Sequence, residues 1–469
     1  MLSLLIGINK IIIYNKKYAV LHGRLEKKRM FKIGKVKLPH RKHTADMTGS
    51  RIPTPASVTL PMSQYIGAPA IPIVKVGDKV NVGTKIADAD GKVSACIHAP
   101  VSGTVKKIGD FLMANGRVCQ AITIESDGEM TLDPGITPPT VTNAEQFCQA
   151  IRESGLVGLG GAGFPTANKL ENAIAKSVDT IIINGAECEP YITTDNRTML
   201  DGANHVVRGV KTIEKYIPGP QTIYIAIENN KPEAIERMTE VFKDDPKVHV
   251  VSLPSEYPQG LEKTLVYTLT GRVIPDGKLP SDVGCVMFNV TSVAFITYYL
   301  ETGIPFVWKT ITVDGSAVSD PKNVTAPIGT SLRDILTFAG ADFEDLGKVL
   351  YGGPMMGIAA YNLDDPIYKN TSAVLALNKK DSLPKPQYPC IHCGKCVAHC
   401  PIGLNPTAFM KAMKIENKDD RAAALMDAHV LSCVDCGSCS YVCPSRRPLV
   451  ENNKLAKMDL RDSLAAKKD

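Results

Sequence analysis

The sequence predicts a multidomain α/β chain, and three observations carry that expectation. Residues 65–126 are β-rich and broken by glycine turns. Helix and strand alternate from about Thr142, and two matched four-cysteine runs lie between Cys390 and Cys443. Short strands punctuated by turns build a β module, whereas alternating helix and strand build a parallel sheet with helices on its faces. The chain has 469 residues, 44% hydrophobic and 22% charged, an ordinary soluble composition. That length suggests about three domains, each able to build a core. The net charge of +6 permits an acidic partner or anionic ligands and does not point to nucleic acid.

Taken in order, the first stretch, MLSLLIGINKIIIYNKKYAV, is apolar but interrupted by Lys10. It is too short to span a bilayer and lacks a basic n-region and a cleavage site. Residues 1–29 are therefore expected to be an extension ending in the basic run Arg24–Arg29, with Met30 as the candidate native start. A peripheral membrane anchor is the second reading of that apolar-plus-basic pattern. Over 65–126, Gly-Asp and Asp-Gly pairs separate valine-rich runs, as turns separate strands. This half-repeat resembles the flattened barrel of biotinyl and lipoyl domains. Its turn Gly91–Cys96 lacks their carrier-lysine motif, so a structural module is expected.

Helices are expected at 144–154, Ala167–Lys176 and 232–243, and strands at Thr180–Ile183, 222–227 and 248–253. The uncharged stretch Cys285–Leu300 is short for a membrane span and reads as a buried helix. A strand at Thr310–Val313, a helix at Ser331–Ala339 and a turn at Gly352–Gly357 follow, with Met355 and Met356 as core filler. Leu377–Gln387 reads as a polar linker, the segment between the cysteine runs as two helices, and the tail from Lys454 as a surface or partner-docking helix.

The loop Gly158-Leu-Gly-Gly-Ala-Gly163 leads directly into a helix. Backbone N–H groups exposed at a helix N-terminus favour an anionic phosphate. Taken alone the loop fits equally a turn that packs helix on strand without a ligand, and its glycines are not spaced as in the Rossmann fingerprint.

The cysteines restrict the chemistry hardest. C-I-H-C-G-K-C-V-A-H-C-P and C-V-D-C-G-S-C-S-Y-V-C-P are both C-x2-C-x2-C-x3-C-P. This resembles the run with which bacterial two-cluster ferredoxins hold [4Fe–4S] cubanes, the fourth cysteine of each run ligating the other cluster. Cys390, Cys393, Cys396 and Cys443 are thus assigned to one cluster, and Cys433, Cys436, Cys439 and Cys400 to its partner. Gly394 and Gly437 fit close backbone approach to the clusters. Zinc sites usually pair two C-x2-C units, and disulfide frameworks belong to small secreted domains. The remaining Cys96, Cys119, Cys148, Cys188 and Cys285 are scattered and read as reduced interior thiols of a cytoplasmic protein.

Six further segments, together with the cysteine runs, carry a family resemblance: PHRKHTADM (39–47), GLGGAGFPTANKL (158–170), IINGAECEPYITTDNRTM (182–199), YPQGLEKTL (257–265), GCVMFNVTS (284–292) and GGPMMG (352–357). With them the chain resembles the flavin-binding subunit of respiratory complex I and, more closely, the C subunits of Rnf-type NAD:ferredoxin oxidoreductases, from about residue 30 onward. The resemblance implies that Gly158, Gly160, Gly161, Gly163, Phe164 and Lys169 wrap FMN, with Asn184, Glu187, Glu189, Gly260, Glu262 and Asn289 as further flavin contacts. Ala186, Leu261 and Phe288 depart from the complex I pattern, and Lys169 is followed by Leu-Glu-Asn-Ala instead of the aromatics that stack on NADH.

The fold class implied is α/β multidomain: an extension (1–29), a barrel-sandwich β module (30–135), a Rossmann-like α/β flavin-binding domain (136–305), a small β-grasp, SLBB-like module (306–376) and an α-helical ferredoxin-type dicluster domain (377–469). The function implied is that of an electron-input subunit. It would pass electrons between NADH and ferredoxin through FMN and two [4Fe–4S] clusters, with NAD(H) as substrate and no catalytic side chain. It would sit peripherally on the cytoplasmic side of the cell membrane with the other subunits of an Rnf-type complex. Two alternatives stand beside it: a soluble relative feeding an amino-acid reductase, and a non-catalytic iron–sulfur scaffold with a degenerate flavin site.

Overall fold

The computed structural model describes residues 33–466 other than Pro220, together with the two-residue strand Ile12–Ile13. The expectations for the rest of the 1–29 extension lie outside the described residues. The chain divides into two compact units, one built mainly from His40–Ser252 and Gly284–Leu383, the other mainly from Leu253–Val283 and Pro384–Asp469.

The first unit contains the expected mixture of sheets and helices. Its central sheet runs Val248–Leu253, Thr222–Glu228, Thr180–Gly185, Cys285–Asn289, with Ile12–Ile13 at the outer edge. Thr180–Gly185 pairs in parallel with both neighbours, Thr180 standing opposite Thr222 and Cys285. A parallel strand covered on both faces reads as a continuous apolar run, and Ile181, Ile182 and Ile183 are buried accordingly. Each contributes roughly 1.5–3 kcal/mol of apolar burial.

The helix Ala144–Glu153 begins where the Asn143 side chain accepts from the Gln146 N–H, and it buries Phe147, Cys148, Ala150 and Ile151. Cys285–Leu300 is not one helix. Cys285–Asn289 is a buried strand, and the Asn289 side chain then caps a helix, Val290–Thr302, by accepting from Thr291 and Ser292. The missing signal was the cap: an asparagine inside an apolar run starts a new helix there.

Two smaller sheets form the β module, in the orders Ser57–Pro61, Val118–Ser126, Gly103–Leu112, Lys79–Val80 and Ile71–Pro72, Lys85–Asp88, Ile97–His98. A six-stranded sheet follows, in the order Ile358–Ala359, Leu346–Tyr351, Ala373–Asn378, Trp308–Asp314, Lys322–Pro327, Ser50–Arg51. Its last strand comes from far upstream, pairing in parallel at Val324 and Thr325. The Arg51 guanidinium lies 4.2 Å from the Trp308 ring, a cation–π contact to the next strand but one of the same sheet. The expected linker Leu377–Gln387 is partly regular: Leu377 and Asn378 finish a strand, and Asn378 caps the single turn Lys379–Ser382.

In the second unit the helices Pro406–Ala412, Lys418–Asp427 and Leu449–Ala465 pack around Phe409, Leu425, Ala456 and Leu460. The two helices expected between the cysteine runs are present. The tail is not merely a surface helix: it starts at Leu449 and turns Asn453, Ala456 and Leu460 inward. Its alternation of charge with alanine and leucine puts those residues on one face, which the core takes. The described residues contain no helix long and apolar enough to cross a membrane.

Candidate functional site

The glycine loop is tied down at both ends. The Gly158 N–H donates to the Phe164 carbonyl at 2.9 Å, and the Leu159 N–H to Ser292 Oγ at 3.1 Å. Gly163 has φ +72, and a Cβ there would lie 3.3 Å from the Tyr65 Cα. A Cβ on Gly160 would lie 2.8 Å from Asn289 Nδ2, whereas one on Gly161 would meet nothing within 4 Å. Gly160 and Gly163 are thus required by the chain itself. Gly161 presents bare backbone to open space, a cradle suited to close approach by a ligand.

Asn184 and Asn289 are register partners at the carboxyl ends of adjacent parallel strands, where open α/β sheets bind ligands. Asn184 Oδ1 accepts from the Ala186 N–H at 3.1 Å, and Lys169 Nζ donates to the Met287 carbonyl at 3.2 Å. Both polar atoms of the Asn289 side chain bond within the chain. Its Oδ1 caps the helix while its Nδ2 donates to Asp195 Oδ2 at 2.7 Å, with Thr291 Oγ1 donating to Asp195 Oδ1 at 2.7 Å.

A network of charges surrounds this point, and of its cations only Lys169 was expected from the sequence, as a flavin contact. Lys42 Nζ donates to the carbonyls of Glu187, Glu189 and Ile192, stapling the PHRKHTADM segment to the loop that leaves Thr180–Gly185. Glu187, at φ +49, accepts from the Asp195 N–H at 2.6 Å and the Asn196 N–H at 3.3 Å, so its carboxylate caps the helix Thr194–Asp201. Burial pushes the Glu187 carboxyl up and pulls the Lys42 ammonium down, each partly offset by the other. Lys231 Nζ donates to the Ala186 carbonyl at 2.7 Å and lies 3.6 Å from Glu228. Burial raises the Asp195 carboxyl, against its bonds from Thr291 and Asn289, and pushes Lys309 down to about 8 with Asp195 as its opposite charge. Lys42 and Asp195 stand inside the segments that carry the family resemblance, which was the available signal. Their roles need partners 90 to 150 residues away.

Glu189 accepts from the Met355 and Met356 N–H groups at 3.1 and 2.8 Å, and burial pushes its carboxyl up to about 7. This corrects the reading of the methionine pair as core filler. Met356 is 39% exposed, and it is the turn's backbone amides that face inward. Gly353 permits the turn, since a Cβ there would lie 2.3 Å from the Glu189 carboxylate. Gly260 and Glu262 belong to the other unit, where Glu262 opens the helix Glu262–Thr270. Phe164 is half-buried at the end of the glycine loop.

In the second unit one pocket is lined by Cys400, Cys433, Cys436 and Cys439 with Phe409, Val450 and Asn453. Cys396 has Cys393 and Cys443 as its charge neighbours. Cys400 therefore lies beside the first three cysteines of the second run, and Cys443 near Cys396 of the first, a donor set that fits two cubanes. Burial pushes the Cys433 and Cys439 thiols up to about 12, so as thiolates they need the positive charge of bound iron. Gly394 and Gly437 start short helices at φ +73 and +75, and a Cβ on Gly394 would meet nothing within 4 Å. Backbone conformation, not crowding by the chain, selects glycine there. The Tyr257 hydroxyl donates to the Cys436 carbonyl at 2.7 Å. Cys96, Cys148 and Cys285 are buried, and Cys119 and Cys188 are half-buried.

Four family models match the chain: the RnfC barrel sandwich hybrid domain over 30–129, the Nuo51 FMN-binding domain over 151–298, the SLBB domain over 310–359 and the 4Fe-4S dicluster domain over 386–446. The chain is 44% identical to the C subunit of the proton-translocating ferredoxin:NAD(+) oxidoreductase complex of Clostridium ljungdahlii, over 78% of this chain and 80% of that protein. It is 40% identical to the Na(+)-translocating counterpart of Acetobacterium woodii, over 80% of this chain and 85% of that protein. Identity to the C subunit of the ion-translocating oxidoreductase complex of Rhodobacter capsulatus is 39%, over 78% of this chain and 72% of that protein. With its barrel-sandwich, flavin-binding, SLBB and dicluster regions in this order, the chain belongs to the family of C subunits of ion-translocating ferredoxin:NAD(+) oxidoreductase complexes.

Proposed function

We propose that this chain is the electron-input subunit of a membrane-bound, ion-translocating complex, passing electrons between NADH and ferredoxin through FMN and two [4Fe–4S] clusters. The observation that carries the reading is the presence, in one chain, of an open glycine loop at the carboxyl edge of a parallel sheet and eight cysteines in two runs of four. When bound, FMN exchanges electrons in pairs or singly and the clusters exchange them singly, so the redox chemistry is theirs.

The chain's residues bind and position. Gly158, Gly160, Gly161, Gly163, Phe164 and Lys169 form the flavin cradle, with Asn184 and Asn289 at its floor and Gly260 and Glu262 as contacts carried over from the family. Glu187 and Glu189 act from behind, holding the loops that shape the cradle through the chain's own amides. Cys390, Cys393, Cys396 and Cys443 hold one cluster, and Cys400, Cys433, Cys436 and Cys439 the other. No side chain serves as acid, base or nucleophile. The module bounds 30–135, 136–305, 306–376 and 377–469 belong to this proposal. So does a peripheral position on the cytoplasmic face of the membrane, alongside the complex's other subunits.

The test is compositional. The full chain, isolated anaerobically, is expected to hold one FMN and about eight irons. A chain that holds iron but never FMN would mark the glycine loop as structural and leave an iron–sulfur scaffold.

A further inference from the structure

The two cysteine sets are matched in their backbone and unmatched in their side chains: Ser438 Oγ lies 3.5 Å from Cys436 Sγ, and Asn453 faces two further sulfurs of the same set. In the first run the Leu404 N–H donates to Cys400 Sγ at 3.2 Å, and in the second the Arg447 N–H donates to Cys443 Sγ at 3.4 Å. Both are bonds from four residues downstream, one to each set. Asn453 breaks the symmetry. It stands on the helix Leu449–Ala465, is 1% exposed, and lines the pocket formed by Cys400, Cys433, Cys436 and Cys439. Its Nδ2 lies 3.6 Å from Cys433 Sγ and 3.9 Å from Cys439 Sγ, while its Oδ1 has no hydrogen-bond partner. A buried amide that leaves its oxygen unpaired while its nitrogen faces two sulfurs is placed for those sulfurs. Thiol sulfur is a weak acceptor, whereas iron-bound thiolate carries negative charge and makes the bond charge-assisted.

We infer that Asn453 is a tuning residue that raises the reduction potential of the cluster held by Cys400, Cys433, Cys436 and Cys439. The inference rests on the two-cluster reading above. Gaining an electron makes the cluster more negative, which strengthens an N–H···S bond, so the donor stabilises the reduced form. The other cluster's cysteines have no such side-chain donor among the hydrogen bonds of the described residues, so the effect is confined to one cluster.

The experiment is EPR-monitored redox potentiometry on the full chain carrying both clusters, comparing wild type with Asn453→Leu and the near-isosteric Asn453→Asp. The expected result is a shift of one cluster to more negative potential in both variants, larger for Asp, with the second cluster unmoved. Equal potentials in wild type and a variant that retains both clusters would overturn the inference. So would loss of the one cluster from both variants, which would assign Asn453 to assembly alone. Failure of the two-cluster reading would show earlier, as a wild-type chain with fewer than two EPR-active clusters.

Discussion

The Asp195 carboxylate accepts from Asn289 Nδ2 at 2.7 Å, and that bond orients the amide against which Gly160 of the glycine loop packs. Asp195→Ala is therefore expected to weaken FMN binding about tenfold, the equivalent of one hydrogen bond to a charged group. Titration of FMN fluorescence against the variant checks it. Unchanged affinity in a folded variant would detach Asp195 from the cradle.

Adjacent glycines separate two reasons for the loop. In Gly160→Ala the new methyl collides with Asn289, so the loop shifts and FMN binding falls through the chain's own rearrangement. In Gly161→Ala the methyl meets no protein atom within 4 Å. The folded chain should therefore tolerate it with an unchanged melting temperature, while FMN affinity falls because the space belongs to the ligand. If Gly161→Ala binds FMN normally, the cradle is elsewhere.

Lys42 satisfies three carbonyls with one ammonium. Lys42→Met keeps the stem and orphans all three, at a cost of about 3 kcal/mol or more. A clear fall in the thermal midpoint of the flavin-bearing unit is expected, and its absence would make the staple incidental.

Glu189 supplies a pH dependence. Its folded carboxyl is raised to about 7 by burial, above its unfolded value, so between those values the native state holds the extra proton. Its contribution is most favourable below the unfolded value and is lost as pH rises through about 7. Solvent contact of the half-buried side chain limits the effect to the order of 1–2 kcal/mol. Glu189→Gln should match wild type in stability near pH 5 and exceed it near pH 8. A variant less stable at pH 8 would show that the ionised carboxylate, with its two amide donors, is the favoured form.

Local signals were legible in the sequence, and long-range pairings were not. The cysteine spacing, the apolar run Thr180–Ile183 and the alternation around it announce themselves through periods of a few residues. Lys42, Asp195 and Asn453 have meaning only against partners brought close by the fold. Lys42 has its three carbonyl partners 145 to 150 residues away. The same limit explains Met355 and Met356, whose apolar side chains argued for a core position. The constraint on that turn is instead the Glu189 carboxylate, 166 and 167 residues upstream in the chain.

Cluster ligation is crossed in this account, so serine at the fourth cysteine of one run should empty the other run's cluster. Cys400→Ser is expected to remove the cluster whose other ligands are Cys433, Cys436 and Cys439, leaving about four irons. Cys443→Ser should spare that cluster and remove its neighbour. EPR of the two variants distinguishes them, and identical spectra would contradict the crossing.

Electron entry from NADH is tested by adding NADH to the full chain holding FMN and both clusters, without oxygen, and recording the visible spectrum. Prompt bleaching of the flavin band followed by loss of cluster absorbance is the predicted result. Bound FMN that bleaches with dithionite and not with NADH would contradict the assignment of this chain as the NADH-linked point of electron entry.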